Sequence, residues 1–204
     1  MAGAAGMLHA VIMWPPDAAD LASITTKNIL VIGIETAPTS ERTFARRQIR
    51  VAISEALGIV MGRDGTQLSI TSNPGQPLQV ADTAIGLSIA HEAGMSIAAI
   101  NLRGSVGVDI VRLDALAPIT GEVGDWQQLA SDYLGPAALQ RIRQRPSALR
   151  NRHFAIEWTA QEARLKYLGQ GLIEWTAAPA ETSHLIAHPL ALPPQWIGML
   201  ATAL

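Results

Sequence analysis

Three charged side chains mark where this sequence could do chemistry. Asp109 lies within Val106-Gly107-Val108-Asp109-Ile110-Val111, a run otherwise suited to a buried strand. A lone carboxylate there is costly unless it is paired or binds a metal. A strand-end aspartate turned to solvent or to a backbone turn gives the same pattern. Glu162 and Lys166 stand four apart in a helical stretch, hence on one face. That spacing fits a plain helical ion pair of ~0.3–0.5 kcal/mol, yet Lys166 is one of only two lysines in a chain that otherwise uses Arg for positive charge. Arg42, Arg46 and Arg50 recur at i, i+4 and i+8, a stripe that is either an anion site or a solvated polar face. His153, His184 and His188 have no carboxylate at a metal-ligand spacing and read as packing or surface residues. Trp126, Trp175 and Trp196 read as core or interface aromatics.

The elements that must position these residues follow from periodicity and punctuation. Residues 1–26 form an irregular lead-in with one edge strand. Asn28 to Glu35 is β-branched and apolar, a buried strand, and Ser40 then offers an N-cap for a helix from Glu41 to Leu57 that Gly58 stops. From Leu68 a short strand runs into the turn Asn73-Pro74-Gly75-Gln76-Pro77. The apolar runs Ile85 to Ala90 and Met95 to Leu102 have hairpin spacing, and Val106 to Leu113 is a further strand. Asp114 to Pro146 reads as a surface excursion with two short helical patterns. Ser147 caps a long helix to about Leu168, ended by Gly169 and Gly171, and strands at His184 to His188 and Trp196 to Thr202 close the chain. The expected fold is α+β, with two pseudo-symmetric halves, residues 1–104 and 105–204, each a long helix packed on a small, mostly antiparallel sheet.

Composition bounds the function. A chain of 204 residues with 49% hydrophobic and 16% charged residues can bury a substantial core and is not built to be disordered. A net charge of −2 gives no general attraction to nucleic acid or anionic lipid, so an anion site must be local. With no cysteine there is no disulfide, thiol nucleophile or Cys-ligated zinc. Apolar runs such as Ile29 to Ile34 are far short of the ~20 residues a spanning helix needs, and the apolar start has no basic n-region of the signal-peptide kind. A cytoplasmic protein without a membrane or nucleic-acid partner is expected.

Gly107-Val108-Asp109-Ile110, followed about fifty residues later by Trp158-Thr159-x-x-Glu162-Ala163-x-x-Lys166-x-x-Gly169-x-Gly171-Leu172, resembles the paired motifs of the 4′-phosphopantetheinyl transferases. The Gly75-Gln76-Pro77 turn, Leu87-Ser88-Ile89-Ala90-His91 and an Arg-bearing helix ending in Leu57-Gly58 agree more loosely, and the chain looks like the monomeric, broad-specificity type. The resemblance implies transfer of phosphopantetheine from coenzyme A to a serine of an acyl or peptidyl carrier protein with Mg²⁺. It implies Asp109 and Glu162 as metal ligands, Glu162 also as general base, and Lys166 on the phosphates. His91 and the Arg46, Arg47 and Arg50 group, Arg47 and Arg50 foremost, would contact coenzyme A with Gln76, Pro77 and Ala90. The sequence departs from the family's pattern at Val111, where the broad-specificity type usually has a second acidic residue on the strand, and at Gln161, Gln76 and Ala90, with Arg164 a candidate to compensate for lost phosphate contacts. A relative that binds coenzyme A or a carrier protein without transfer is the alternative.

Overall fold

The computed structural model describes residues 8–62, 64–65, 68–71, 77–116, 126–176, 182 and 184–204. Its first part runs β1 (His9–Ala10), β2 (Ile12–Met13), α1 (Ala18–Ile24), β3 (Ile29–Glu35), α2 (Arg42–Met61), β4 (Ile70–Thr71), β5 (Leu78–Val80), β6 (Gly86–Glu92) and β7 (Met95–Asn101). Its second part runs β8 (Gly107–Arg112), a 3-10 turn (Leu113–Leu116), α3 (Trp126–Leu129), a π-helical stretch (Ala130–Leu134), α4 (Gly135–Arg143), α5 (Ser147–Leu168), β9 (Leu185–Ala191) and β10 (Trp196–Ala203). The class is α+β, as expected from the sequence.

Two sheets form, of six strands in the order β2-β3-β7-β6-β5-β4 and of four in the order β1-β9-β10-β8. All pairings are antiparallel except β2 with β3 and β1 with β9. In the six-stranded sheet β7 lies between β3 and β6, and in the four-stranded sheet β10 lies between β8 and β9; α2 is followed by four strands and α5 by two. The short strand β1 crosses over to pair with β9 in the second sheet.

The alternation of β3 explains the packing. Leu30 and Ile32 point into a cluster with Ile49, Ile53 and Leu57 of α2, while Val31 points into a cluster that also holds Val108 and Ile110 of β8 and Leu200 of β10. The sheets therefore share one apolar cluster, and each covers its other face with its own long helix, α5 lying against β8 and β10 through Phe154, Ala155, Ala160 and Ala163. No helix among the described residues is long and apolar enough to cross a membrane.

Several local expectations are corrected. Ser40 does not cap α2: its N–H bonds Ala37 O in a turn, and the helix begins at Arg42. Gly58 does not stop it, because Ile59, Val60 and Met61 still pack on the core and hold the helix together to Gly62, whose left-handed φ of 62° ends it. Ser147 is the first helical residue of α5 rather than its cap, with Pro146 before it. His91 and Glu92 belong to β6, leaving a two-residue turn at Ala93 and Gly94. The lead-in holds a short helix, α1, whose N-terminus Asp17 caps by accepting from Asp20 N–H at 2.8 Å. The middle excursion is partly core, since Trp126, Ala130 and Ile142 are buried against Phe154.

Candidate active site

The site is built where β8 meets α5. Residues 107, 109 and 111 share one face of the strand. At Gly107 the helix backbone comes so close that a Cβ would lie 1.9 Å from Ala163 O and 2.6 Å from Tyr167 N. Two residues on, Asp109 Oδ1 accepts a hydrogen bond from Lys166 Nζ at 2.7 Å, and that ammonium also reaches Ile89 O of β6 at 3.5 Å. Two further on, Val111 is only 7% exposed, in the cluster with Phe154 and Ala155. The position that would carry a second strand carboxylate is thus a core position. On β6, Ser88 Oγ accepts from Val108 N–H at 3.0 Å and ties the two sheets together beside the site.

The end of α5 is fixed by Gly169, which adopts a left-handed φ of 70° and caps with its N–H on the carbonyls of Leu165 and Lys166. A Cβ there would meet the Pro77 ring at 2.8 Å, so this turn also sets the distance to the start of β5. Glu162, one helical turn before Lys166, forms no hydrogen bond among the described residues.

A cavity of about 530 Å³ opens here. Its polar lining is Arg42, Arg46 and Arg50 of α2, His91 of β6, Asp109 of β8, and Glu162 and Lys166 of α5; Leu78, Ile89 and Ala90 complete the wall. Among the described residues the three arginines have no ion pair or hydrogen bond of their own. Burial pushes the Asp109 carboxyl above the usual range, opposed by the charge and hydrogen bond of Lys166. Burial and then the Asp109 charge raise Glu162, again opposed by Lys166. His91, whose Nδ1 lies 2.8 Å from Ser96 Oγ, is pushed down to about 4 by burial and then by Arg46, Arg42, Lys166 and Arg50. It is therefore neutral at pH 7, in a cavity where cations outnumber anions.

The sequence candidates divide. Asp109, Glu162, Lys166, His91, Ala90 and Arg50 come together in this cavity. Arg47 does not: it lines a neighbouring groove of about 620 Å³ with Val51, Ser54 and Glu55, a groove that shares Arg46 and Arg50 with the cavity, and its guanidinium lies 5.6 Å from the Phe44 ring centroid. Pro77 lines an adjoining cavity of about 290 Å³ that shares Leu78, Ile89 and Lys166 with the main one. Gln76 lies outside the described residues. Arg164 faces away, with Glu157 and Arg141 as its charged neighbours. Arg46, of the same candidate group, and Arg42 join the site, and the signal for them is the i, i+4, i+8 spacing they share with Arg50, from which Arg47 is rotated by about 100°.

The donor set suits a hard divalent cation. Mg²⁺ takes one or two carboxylates and fills its remaining positions with water and phosphate oxygens, and Asp109 and Glu162 are two carboxylates on one cavity, Asp109 near enough to raise Glu162. No group of three or more candidate metal ligands occurs among the described residues, so an all-protein cage for zinc or calcium is not present among them.

Residues 105–191 match the sequence model of the 4′-phosphopantetheinyl transferase superfamily. Over 152 residues the chain is 24% identical to the 4′-phosphopantetheinyl transferase HetI of Nostoc sp., a match that covers 72% of this chain and 61% of that protein. The family match runs from just before β8 to the end of β9 and contains Asp109, Glu162 and Lys166; the arginine stripe of α2 lies outside it.

Proposed function

We propose that this chain, whose residues 105–191 match the sequence model of the 4′-phosphopantetheinyl transferase superfamily, moves phosphopantetheine from coenzyme A to a serine of an acyl or peptidyl carrier protein. The serine oxygen forms a bond to the β-phosphorus of coenzyme A, the bond from that phosphorus to the bridging oxygen breaks, and adenosine 3′,5′-bisphosphate leaves. The serine proton goes to a base. The observation that carries this proposal is the gathering of Asp109, Glu162 and Lys166 in one cavity with three cations that have no protein partner among the described residues.

Each residue then has a task. Glu162 takes the serine proton, and its raised pKa makes it a stronger base than an ordinary carboxylate. Lys166 and the arginines of α2 hold diphosphate and 3′-phosphate oxygens through charge-assisted hydrogen bonds. Neutral His91, held by Ser96, offers its other ring nitrogen to the same anion. Asp109 and Glu162 would hold Mg²⁺, which when bound supplies charge neutralisation for the diphosphate. Pro77, Leu78 and Ile89 line the adjoining cavity, a place for the pantetheine arm beside Lys166. We assign the protein to the cytoplasm as a monomer, with no nucleic-acid or membrane partner.

The test is incubation of the purified protein with coenzyme A, Mg²⁺ and a panel of apo carrier proteins, read by mass spectrometry for the ~340 Da gain expected of this transfer. A Mg²⁺-dependent gain supports the enzyme. Retained coenzyme A binding with no gain on any carrier supports the second reading, a relative that binds without transfer, which the burial of Val111 at the second acidic position favours.

A further inference from the structure

Lys166 occupies ground that a cation bound by Asp109 would need. Its ammonium lies 2.7 Å from Asp109 Oδ1, and the two side chains are only 29% and 13% exposed. The pair is held in place from both sides: Gly107 brings the α5 backbone against β8, and Ile89 O lies within 3.5 Å of the same ammonium. Val111 offers no third carboxylate that could take up the difference. Counting the charged groups that line the cavity, Arg42, Arg46, Arg50 and Lys166 stand against Asp109 and Glu162, which leaves two positive charges before anything binds. A dication arriving alone meets like charge and a carboxylate already neutralised; a diphosphate arriving alone meets arginines without partners among the described residues.

We propose that Lys166 is a placeholder for the divalent cation: it neutralises Asp109 in the ligand-free protein and is drawn off by an incoming diphosphate, so that cation and diphosphate bind only together. This rests on the transferase reading for the identity of the diphosphate, and on the geometry for the role of Lys166. The side chain has the reach, since the ammonium sits at the end of a four-carbon stem and need only rotate from Asp109 into the open cavity it already lines. Coupling of this kind is reciprocal: the factor by which a diphosphate raises cation affinity equals the factor by which the cation raises diphosphate affinity. The device keeps Asp109 paired at all times, since an unpaired buried carboxylate is far more costly than either pairing.

The experiment is a Mn²⁺ titration of the whole chain, read as free Mn²⁺ by electron paramagnetic resonance, with and without coenzyme A, and with a protein-free control for chelation by coenzyme A itself. In the unmodified protein, coenzyme A is expected to tighten Mn²⁺ binding by roughly tenfold or more. Lys166→Met is expected to bind Mn²⁺ without coenzyme A roughly tenfold more tightly than the unmodified protein, with most of the coenzyme A enhancement gone, while Lys166→Arg keeps the weak, enhanced pattern. Unmodified protein that binds Mn²⁺ equally well with and without coenzyme A overturns the proposal, and needs no variant. Unchanged or weaker Mn²⁺ binding by a folded Lys166→Met overturns it too. Failure of the transferase reading looks different: coenzyme A then binds none of the proteins, and inorganic pyrophosphate replaces it as the probe in the same titration.

Discussion

The two long helices bring charge to the same cavity in opposite ways. On α2, Arg42, Arg46 and Arg50 form a stripe of one sign, exposed and without partners among the described residues. On α5, Glu162 and Lys166 are half-buried and of opposite sign, and Lys166 is already paired with Asp109 from β8. Cations left open to solvent cost little to keep and are free to meet a ligand's charge; charges drawn inside must be compensated by the protein itself. The difference separates binding from chemistry. α2 supplies a counter-charge with no partner among the described residues, and α5 supplies Lys166, which the protein itself already pairs with Asp109.

The two helices differ most at the carboxylates. Asp109→Ala or Glu162→Ala is expected to lower the single-turnover transfer rate by about 10²–10⁴-fold, the range for loss of a positioned acid–base group, with the circular dichroism spectrum unchanged. Full activity in both variants would remove α5 and β8 from the chemistry. Next comes the contact that sets their register. Gly107→Ala puts a methyl group into the Ala163 carbonyl, and overpacking of that kind costs about 1–3 kcal/mol. A lowered thermal midpoint together with weakened transfer is expected, because α5 must move off β8 and carry Lys166 away from Asp109.

The α2 side predicts a change in affinity rather than in rate. Arg46→Ala is expected to raise KM for coenzyme A roughly tenfold, the worth of a hydrogen bond to a charged group, with kcat little changed. Arg47→Ala, on the neighbouring groove, should leave both near their starting values. Equal effects at the two positions would mean that the stripe is not the counter-charge.

The smallest expected effect is one of pH. His91 binds its proton more weakly folded, at about 4, than unfolded, at an ordinary ~6.5, so between those values the unfolded chain takes up the extra proton. His91 therefore lowers stability as pH falls from about 6.5 to 4. Asp109 and Glu162, with raised pKa values, act in the other direction: the folded chain holds their protons longer, and that contribution is lost as pH rises through their folded values. Thermal midpoints of the ligand-free protein between pH 7 and 4 should fall less for His91→Gln than for the unmodified chain. An identical fall would mean that His91 is not held neutral by its setting.

Much of this protein could be read along the chain. Local periodicity is a property of consecutive residues, so the strand around Val31, the hairpin of β6 and β7, and α5 with its stop at Gly169 were legible, as was the shared face of Glu162 and Lys166. Helix ends were less so. Gly58 looks like a stop in sequence, but the core contacts of Ile59 to Met61 outweigh the modest cost of a glycine inside a helix.

What sequence alone determined is which residues share a face: Asp109 with Gly107 and Val111, Glu162 with Lys166, Arg42 with Arg46 and Arg50. Which face meets which was decided only by tertiary structure. Asp109 and Lys166 are 57 residues apart and touch because Gly107 lets a helix backbone rest on a strand. Val111, two residues from Asp109 on the same face, falls against Phe154 and becomes core. Arg46 enters the cavity and Arg47 does not, because the core contacts of Ile49 and Ile53 fix how α2 is turned on its sheet. The rotation of an element about its own axis is set by the apolar surface it buries, and that surface is supplied by residues far away in the chain.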